Sequence, residues 1–371
     1  KAGEAATQLI WFSLILSLGV MTLMYVGKGL ILNHVFGQIE ADVYGHADTY
    51  MMIVNASIPF LALYNAGAAI FRSIGNSNIS MRVSLIMNGI NVVGNAILIY
   101  ACKCGTEGVA IPTLVSRLAA AVIMIILLIP KKSAQAKQDS TRIYIKKSLH
   151  YRANWHMLKS ILLVGIPNGL ENSMFQLGKL AIQSSVSTLG TVAIAAQAMT
   201  SILENLNGIA AIGVGVGLMT IVGQCIGAGR KDEAVYYIKK LCMIAEVILI
   251  ISCLSVFVLT KPITILGGME KESADMCIHM TMWITIVKPL VWIMAFIPGY
   301  GMRAAGDVKF SMLTSCTTMW LCRFCLSVFM IRVVGVGAMG VWIGMFSDWT
   351  LRGIIFSWRF HSRKWLKHQV I

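Results

Sequence analysis

Charge is what this chain lacks most. Asp, Glu, Lys and Arg make up 13% of its 371 residues, whereas 57% are hydrophobic. A soluble domain carries roughly 25% charged residues, and a soluble chain of this length with so few would leave large apolar patches in water. Catalytic and nucleotide signatures are missing too. There is no His-Glu-x-x-His, no Gly-x-Ser-x-Gly elbow and no Gly-x-x-x-x-Gly-Lys-[Ser/Thr] cradle, so metalloprotease, serine hydrolase and ATPase chemistry have no foothold. A disulfide framework is also lacking. Most of the nine cysteines fall inside apolar runs, where a thiol behaves as a small hydrophobe. Cys102-Lys103-Cys104 is too short and too isolated for a zinc site.

What is present fits a bilayer. Ile10–Val26, Val109–Ile129 and Ile244–Leu259 are nearly free of charge, and a spanning helix needs about 20 predominantly apolar residues. The first of these runs is too long for the core of a cleavable signal and reads as a span. The pattern predicts ten membrane helices, at 8–33, 47–71, 81–102, 108–130, 158–187, 191–223, 235–260, 273–302, 309–332 and 338–358. Basic residues sort onto alternate connections. One side collects Arg72, Arg82, Lys131, Lys132, Arg230, Lys231, Arg303, Lys309, Arg359, Arg363, Lys364 and Lys367. The other has Lys103, Lys261, Lys271 and Arg332, with Glu40, Asp42 and Asp48. The positive-inside rule makes the first side cytoplasmic, and with it both ends of this chain. That sorting accounts for the net charge of +15 without a nucleic-acid partner. The basic segment 131–157 reads as a cytoplasmic linker with a short interfacial helix at Tyr144–Tyr151.

Two stretches repeat each other. Pro59, Arg72, Gly75 and the Gly105-Thr106-Glu107-Gly108-Val109 string are matched by Pro289, Arg303, Gly306 and Gly337-Ala338-Met339-Gly340-Val341. The prolines lie 230 residues apart, the arginines 231 and the final glycines 232. A near-constant offset marks a duplicated unit. The fold class expected is therefore all-α, a polytopic membrane protein of two parallel-repeat helix bundles. The expected organisation is a four-helix lobe at 1–130, the linker at 131–157, a six-helix lobe at 158–358 and a cytoplasmic tail at 359–371. At this offset the first lobe would start upstream of the first residue, so the pattern predicts two further helices there, twelve in all.

The string Val222-Gly223-Gln224-Cys225-Ile226-Gly227-Ala228-Gly229-Arg230 follows a long apolar helix. It is preceded by Leu189-Gly190-Thr191 and by Gly165-Ile166-Pro167-Asn168-Gly169-Leu170-Glu171-Asn172. Arg303-Ala304-Ala305-Gly306-Asp307 comes later. This ordered set resembles the multidrug and toxic compound extrusion (MATE) family over essentially the whole chain. The resemblance implies secondary active export of organic, often cationic, drug-like molecules in exchange for Na+ or H+. It implies no other cofactor, a monomer in the cell membrane, and two six-helix lobes whose cleft opens alternately to each side. It assigns Pro167, Gly223, Gln224, Gly227, Gly229, Arg303 and Gly306 to structural motifs. In well-studied branches an acid stands about two turns after the proline; here Phe175 and Gln176 occupy that neighbourhood, and Glu171 comes one turn earlier.

The residues point to a site independently. An ionisable side chain at the bilayer centre costs roughly 2.5–3.5 kcal/mol on insertion scales, so each invites a functional explanation. Here they are Arg117, Glu171, Lys179, Glu204, Glu246, Lys288, Arg323 and Asp348. Glu171 follows Pro167, which bends a helix and frees nearby carbonyls. Asn172, Gln176 and Lys179 share its helix, Glu204 and Asn207 lie in the next, and Lys288 precedes Pro289 in another. These seven are the candidates for cation coupling and substrate binding. A competing reading has Glu171, Glu204, Lys179 and Lys288 pairing internally to fix the packing. Glu246 and Arg323 read as packing residues. Asp348 and Arg352, four apart on one helix, are a ready ion pair. Met51, Met52, Trp283, Trp292 and Met294 offer either an adaptable apolar surface or ordinary packing. The alternative function is a flippase for lipid-linked oligosaccharides, whose pyrophosphate Arg117, Lys179, Lys288 and Arg323 could attract. An intramembrane enzyme lacks its motifs, and a seven-helix receptor fails on helix count and on the repeat.

Overall fold

The computed structural model describes residues 2–30, 41–129 and 154–367, and every regular element among them is helical. The long helices are α1 (Ala2–Leu30), α2 (Ala41–Ala56) and α3 (Ile58–Ser73), then α4 (Ser77–Ala101). They continue with α5 (Glu107–Leu128), α6 (Trp155–Val186), α7 (Thr191–Gly227), α8 (Lys231–Leu266) and α9 (Lys271–Ala304). The last two are α10 (Val308–Val334) and α11 (Met339–His361). Among the described residues, seven are long and apolar enough to cross a membrane, or eight when α2 and α3 count as one bent span. The other two are α6 and α11. They have the length but carry Asn168, Glu171, Asn172, Gln176 and Lys179, and Asp348 and Arg352 respectively.

One span departs from expectation. The helix read as continuous over 47–71 is broken at Ser57, with a 40° bend between its halves. Pro59 has no N–H to donate back into the turn. Ser57 instead donates its hydroxyl to Val54 O at 2.6 Å and accepts from Arg117 Nη1 of α5 at 2.6 Å. Arg117 thus holds the break. Helices α7 and α8 run past 223 and 260, to Gly227 and Leu266. Most of the expected linker, its helix at Tyr144–Tyr151, and Glu40, Lys131 and Lys132 lie outside the described residues.

The chain divides into two compact units, Lys1–Ile161 and Leu162–Ile371. The same backbone turns occur in each. Gly75 and Gly306 both take left-handed φ, 84° and 95°. In each case the next amide reaches back five residues, Asn76 N–H to Phe71 O and Asp307 N–H to Met302 O, both at 3.0 Å. This is the glycine-dependent cap that closes a helix end. Both α4 and α10 end in a π-helical turn, Ile97–Ala101 and Met330–Val334. Beyond it, Cys104 N–H bonds Leu98 O at 2.9 Å and Val336 N–H bonds Met330 O at 3.1 Å. Donors and acceptors of this pair are 232 residues apart, the spacing seen in the sequence.

In the first unit α3 packs between α1 and α5, and α4 lies along α5. Tyr64, Ile70, Phe71, Met124 and Leu128 form its core. In the second unit α7, α8 and α9 pack against one another, α11 lies on α9, and α10 on α11. The α10–α11 approach depends on Gly344, whose added Cβ would stand 3.0 Å from Arg323 O and 3.1 Å from Cys322 O. Helix α6 is different: it makes no extended backbone contact with any other helix. Side chains tie it to its unit, through Arg303, through Arg352 over Phe175, and through Met319 against Gly178.

Candidate functional site

Among the described residues, three ion pairs of the second unit join side chains that both lie in long helices, and they differ in tightness. Lys288 Nζ donates to Glu204 Oε1 at 2.7 Å and to Glu204 O at 2.8 Å, and its side chain is wholly buried. Its ammonium also faces the rings of Trp292 and Trp349, 5.3 and 5.9 Å from their centres. Arg352 Nη2 donates to Asp348 Oδ1 at 2.7 Å, with both side chains sealed from solvent. The third pair is looser. Arg303 Nη1 of α9 meets Glu171 Oε2 of α6 at 3.2 Å and Asn168 Oδ1 at 3.4 Å, with side-chain exposures of 14% and 7% for Arg303 and Glu171.

A cavity of about 360 Å³ opens between α6 and the rest of this unit. Lys179 and Phe175 of α6 line it from one side. Glu204 and Gln197 of α7, Trp292 of α9, Arg323 of α10, and Trp342 and Trp349 of α11 line it from the others. Gln197 is held by the Trp342 indole, which donates to its Oε1 at 3.0 Å. Arg323 sits within the π-helical stretch Met319–Leu326. Such wide turns within α-helices recur at functional sites. The matching stretch of the first unit, in Ser77–Ala96, is regular α-helix.

The seven candidates therefore separate. Lys179 and Glu204 line the cavity, with Lys288 directly behind Glu204. Glu171 lies two turns along α6 from Lys179, about 12 Å at the helical rise, and joins Arg303 instead. Asn172 is exposed and donates only within its own helix, to Asn168 O at 2.9 Å. Gln176 is exposed and is not among the cavity-lining residues. Asn207 is fully buried, with neither amide atom hydrogen-bonded among the described residues. Of the methionine and aromatic set, Trp292 alone lines this cavity.

The remaining motif residues lie within helices or at helix ends. Pro167 is buried inside α6. Gly229 takes φ 76°, and Arg230 N–H closes on Cys225 O at 2.8 Å, so this glycine supplies the left-handed cap. A Cβ at Gly223 or Gly227 would meet nothing within 4 Å among the described residues, so neither position requires glycine for packing. Both lie within α7, Gly223 at its expected end and Gly227 because the helix runs on past 223. Gln224 belongs to the same turn, Ala228 N–H bonding its carbonyl at 3.0 Å. Asp232 and Glu233 occupy the first turn of α8, where acids complement the dipole. Trp342 and Trp349 were not read as site residues, and Arg323 was read as packing outside the flippase alternative. The Trp342, Phe346, Trp349 spacing of four and three residues was the available signal for an aromatic helix face.

Apolar helices in repeated units, with ionisable side chains gathered around an internal cavity, define a membrane transporter. The chain matches the MatE family over residues 1–97 and 167–329, and it belongs to that family. It is 22% identical over 374 residues to the probable multidrug resistance protein NorM of Thermotoga maritima, covering 99% of this chain and 78% of that one. It is 24% identical over 373 residues to the uncharacterized transporter YisQ of Bacillus subtilis, covering 99% and 79%. Among solved structures it resembles the outward-facing conformation of a multidrug resistance MATE family transporter of the MOP superfamily. The TM-score is 0.84 at 19% identity, over 97% of this chain and 79% of that one.

Proposed function

We propose that the protein exports small organic molecules in exchange for H+ or Na+, with α6 as the element that moves. The observation that carries this reading is the isolation of α6. It makes no extended backbone contact with its neighbours, yet it forms one wall of the cavity. Pro167 stands inside it and weakens its hydrogen-bond ladder. Of the three pairs, Arg303–Glu171 has the longest contact, 3.2 Å against 2.7 Å in the other two, so it is the one that an incoming cation opens most readily. With Glu171 charged, Arg303 ties α6 to α9. A proton on Glu171 removes the charge that holds the guanidinium. A Na+ ion would instead take Arg303's place, with Asn168 Oδ1 as a second oxygen. Either event frees α6 to move, and a substrate in the cavity favours its own arrangement of the same helix. Two ligands that bias one two-state element oppositely are coupled.

Relatives called multidrug resistance proteins support a drug-like load. The cavity volume supports it too, since small-molecule sites run from about 300 to 1,000 Å³. The basic side bearing Arg303 and the Arg359-to-Lys367 segment is taken as cytoplasmic. The chain acts as a monomer in this scheme.

The test is reconstitution of the full-length protein into proteoliposomes. An imposed H+ or Na+ gradient should drive uptake of an organic dye, and collapse of that gradient should stop it. Uptake indifferent to both gradients would end the exchange reading.

A further inference from the structure

We infer that the cavity of the second unit is built for an organic anion with a flat aromatic body. This rests on that cavity being the substrate site. Its charges decide the matter. Lys179, Arg323 and Glu204 line it, and Lys288 stands directly behind Glu204. The Glu204 carboxylate is satisfied by Lys288 at 2.7 Å. Among the described residues, Lys179 and Arg323 form no ion pair or hydrogen bond. With Arg352 paired to Asp348, four bases here face two acids, so the site carries two positive charges in excess. Asp348 and Glu204 act on Arg323 through space, but each is hydrogen-bonded to its own base.

Arg323 is the more telling of the two. Its side chain is nearly buried, and a desolvated guanidinium without a partner is costly. The π-helical stretch that carries Arg323 and the glycine at 344 that admits its backbone are both specific to this unit. Around the two cations stand Phe175, Trp292, Phe296, Trp342 and Trp349. Lys288 lies over Trp292 and Trp349 and Arg352 over Phe175 and Phe296, so a planar apolar body would meet Trp342 and what those bases leave open of the other rings, and the two cations suit a carboxylate or sulfonate on its rim. An organic cation, the load implied by the family resemblance, would meet Lys179 and Arg323 head-on. Export of an anion also runs with an inside-negative membrane potential, which helps by about 2.3 kcal/mol per charge per 100 mV.

The inference is tested by binding, without any gradient. Purified full-length protein is titrated with 2-naphthoate and with 2-naphthylmethylammonium, which share a ring system and differ in charge. The carboxylate should bind at least about tenfold more tightly, the equivalent of one charge-assisted hydrogen bond. Lys179→Gln should weaken naphthoate binding about tenfold and leave the fold intact, since Lys179 is not buried. Lys179→Glu should invert the preference. Arg323→Gln should act like Lys179→Gln where it folds. Tighter binding of the ammonium, no measurable binding of either, or naphthoate binding unchanged in Lys179→Gln would overturn the inference. Transport separates the two levels: if the ammonium is moved and the carboxylate is not, the exporter reading survives and the anion assignment falls.

Discussion

Lys288→Met should destabilise the second unit by about 3–5 kcal/mol, the usual consequence of removing one partner of a buried ion pair. The ammonium has no water contact and sits between the Glu204 carboxylate, the Glu204 carbonyl and two indole rings. Methionine fills much of the volume but leaves the carboxylate and the carbonyl without their donor. The loss of cation–π attraction adds to the cost. Glu204 keeps 15% side-chain exposure toward the cavity, so water can soften the penalty, and the lower end of the range is expected. The double variant Glu204→Gln/Lys288→Met should recover most of the loss, because an uncharged amide and a thioether need no counter-charge. Thermal unfolding in detergent would measure both. If the single variant melts with the wild type, the pair is not the buried anchor described here.

Asp348→Ala should produce a loss of similar size, again about 3–5 kcal/mol. Here both partners are sealed off. Arg352 also donates to Thr318 Oγ1 at 3.3 Å and Ser315 O at 3.4 Å, and its guanidinium covers Phe175 and Phe296 at 4.8 and 5.0 Å. Those contacts give it a second role, since Phe175 belongs to α6. Removing Asp348 strands the guanidinium and loosens one of the few ties on α6. Asp348→Asn keeps an acceptor and should cost less. Arg363–Asp232, at the end of the chain, makes a useful control: both side chains are largely exposed, and pairs of that kind contribute little. Equal melting of Asp348→Ala and Asp232→Ala would show that the buried pair carries no special weight.

The fold was legible where it depends on local pattern. Apolar length marked the spans, and the recurring glycines marked turns that need positive φ, such as Gly75 and Gly306. The break at Ser57 was not legible, because Pro289 occupies the equivalent place inside a helix that stays continuous. What differs is the Arg117–Ser57 contact, made by residues 60 apart in sequence. The site was half legible. Intramembrane charge named Glu171, Glu204, Lys179 and Lys288, but no spacing rule says which acid meets which base. Glu204 and Lys288 are 84 residues apart, and Glu171 and Arg303 are 132. Arg323 was read as a packing residue. The π-helical turn that sets its place in the cavity leaves no mark on the hydrophobic pattern.

The account turns on Glu171 as the group through which an external cation moves α6. Proteoliposomes holding Glu171→Gln should lose gradient-driven uptake about tenfold or more, yet should still exchange labelled for unlabelled substrate, because the cavity lies elsewhere. Gradient-driven uptake equal to the wild type in that variant would contradict the account.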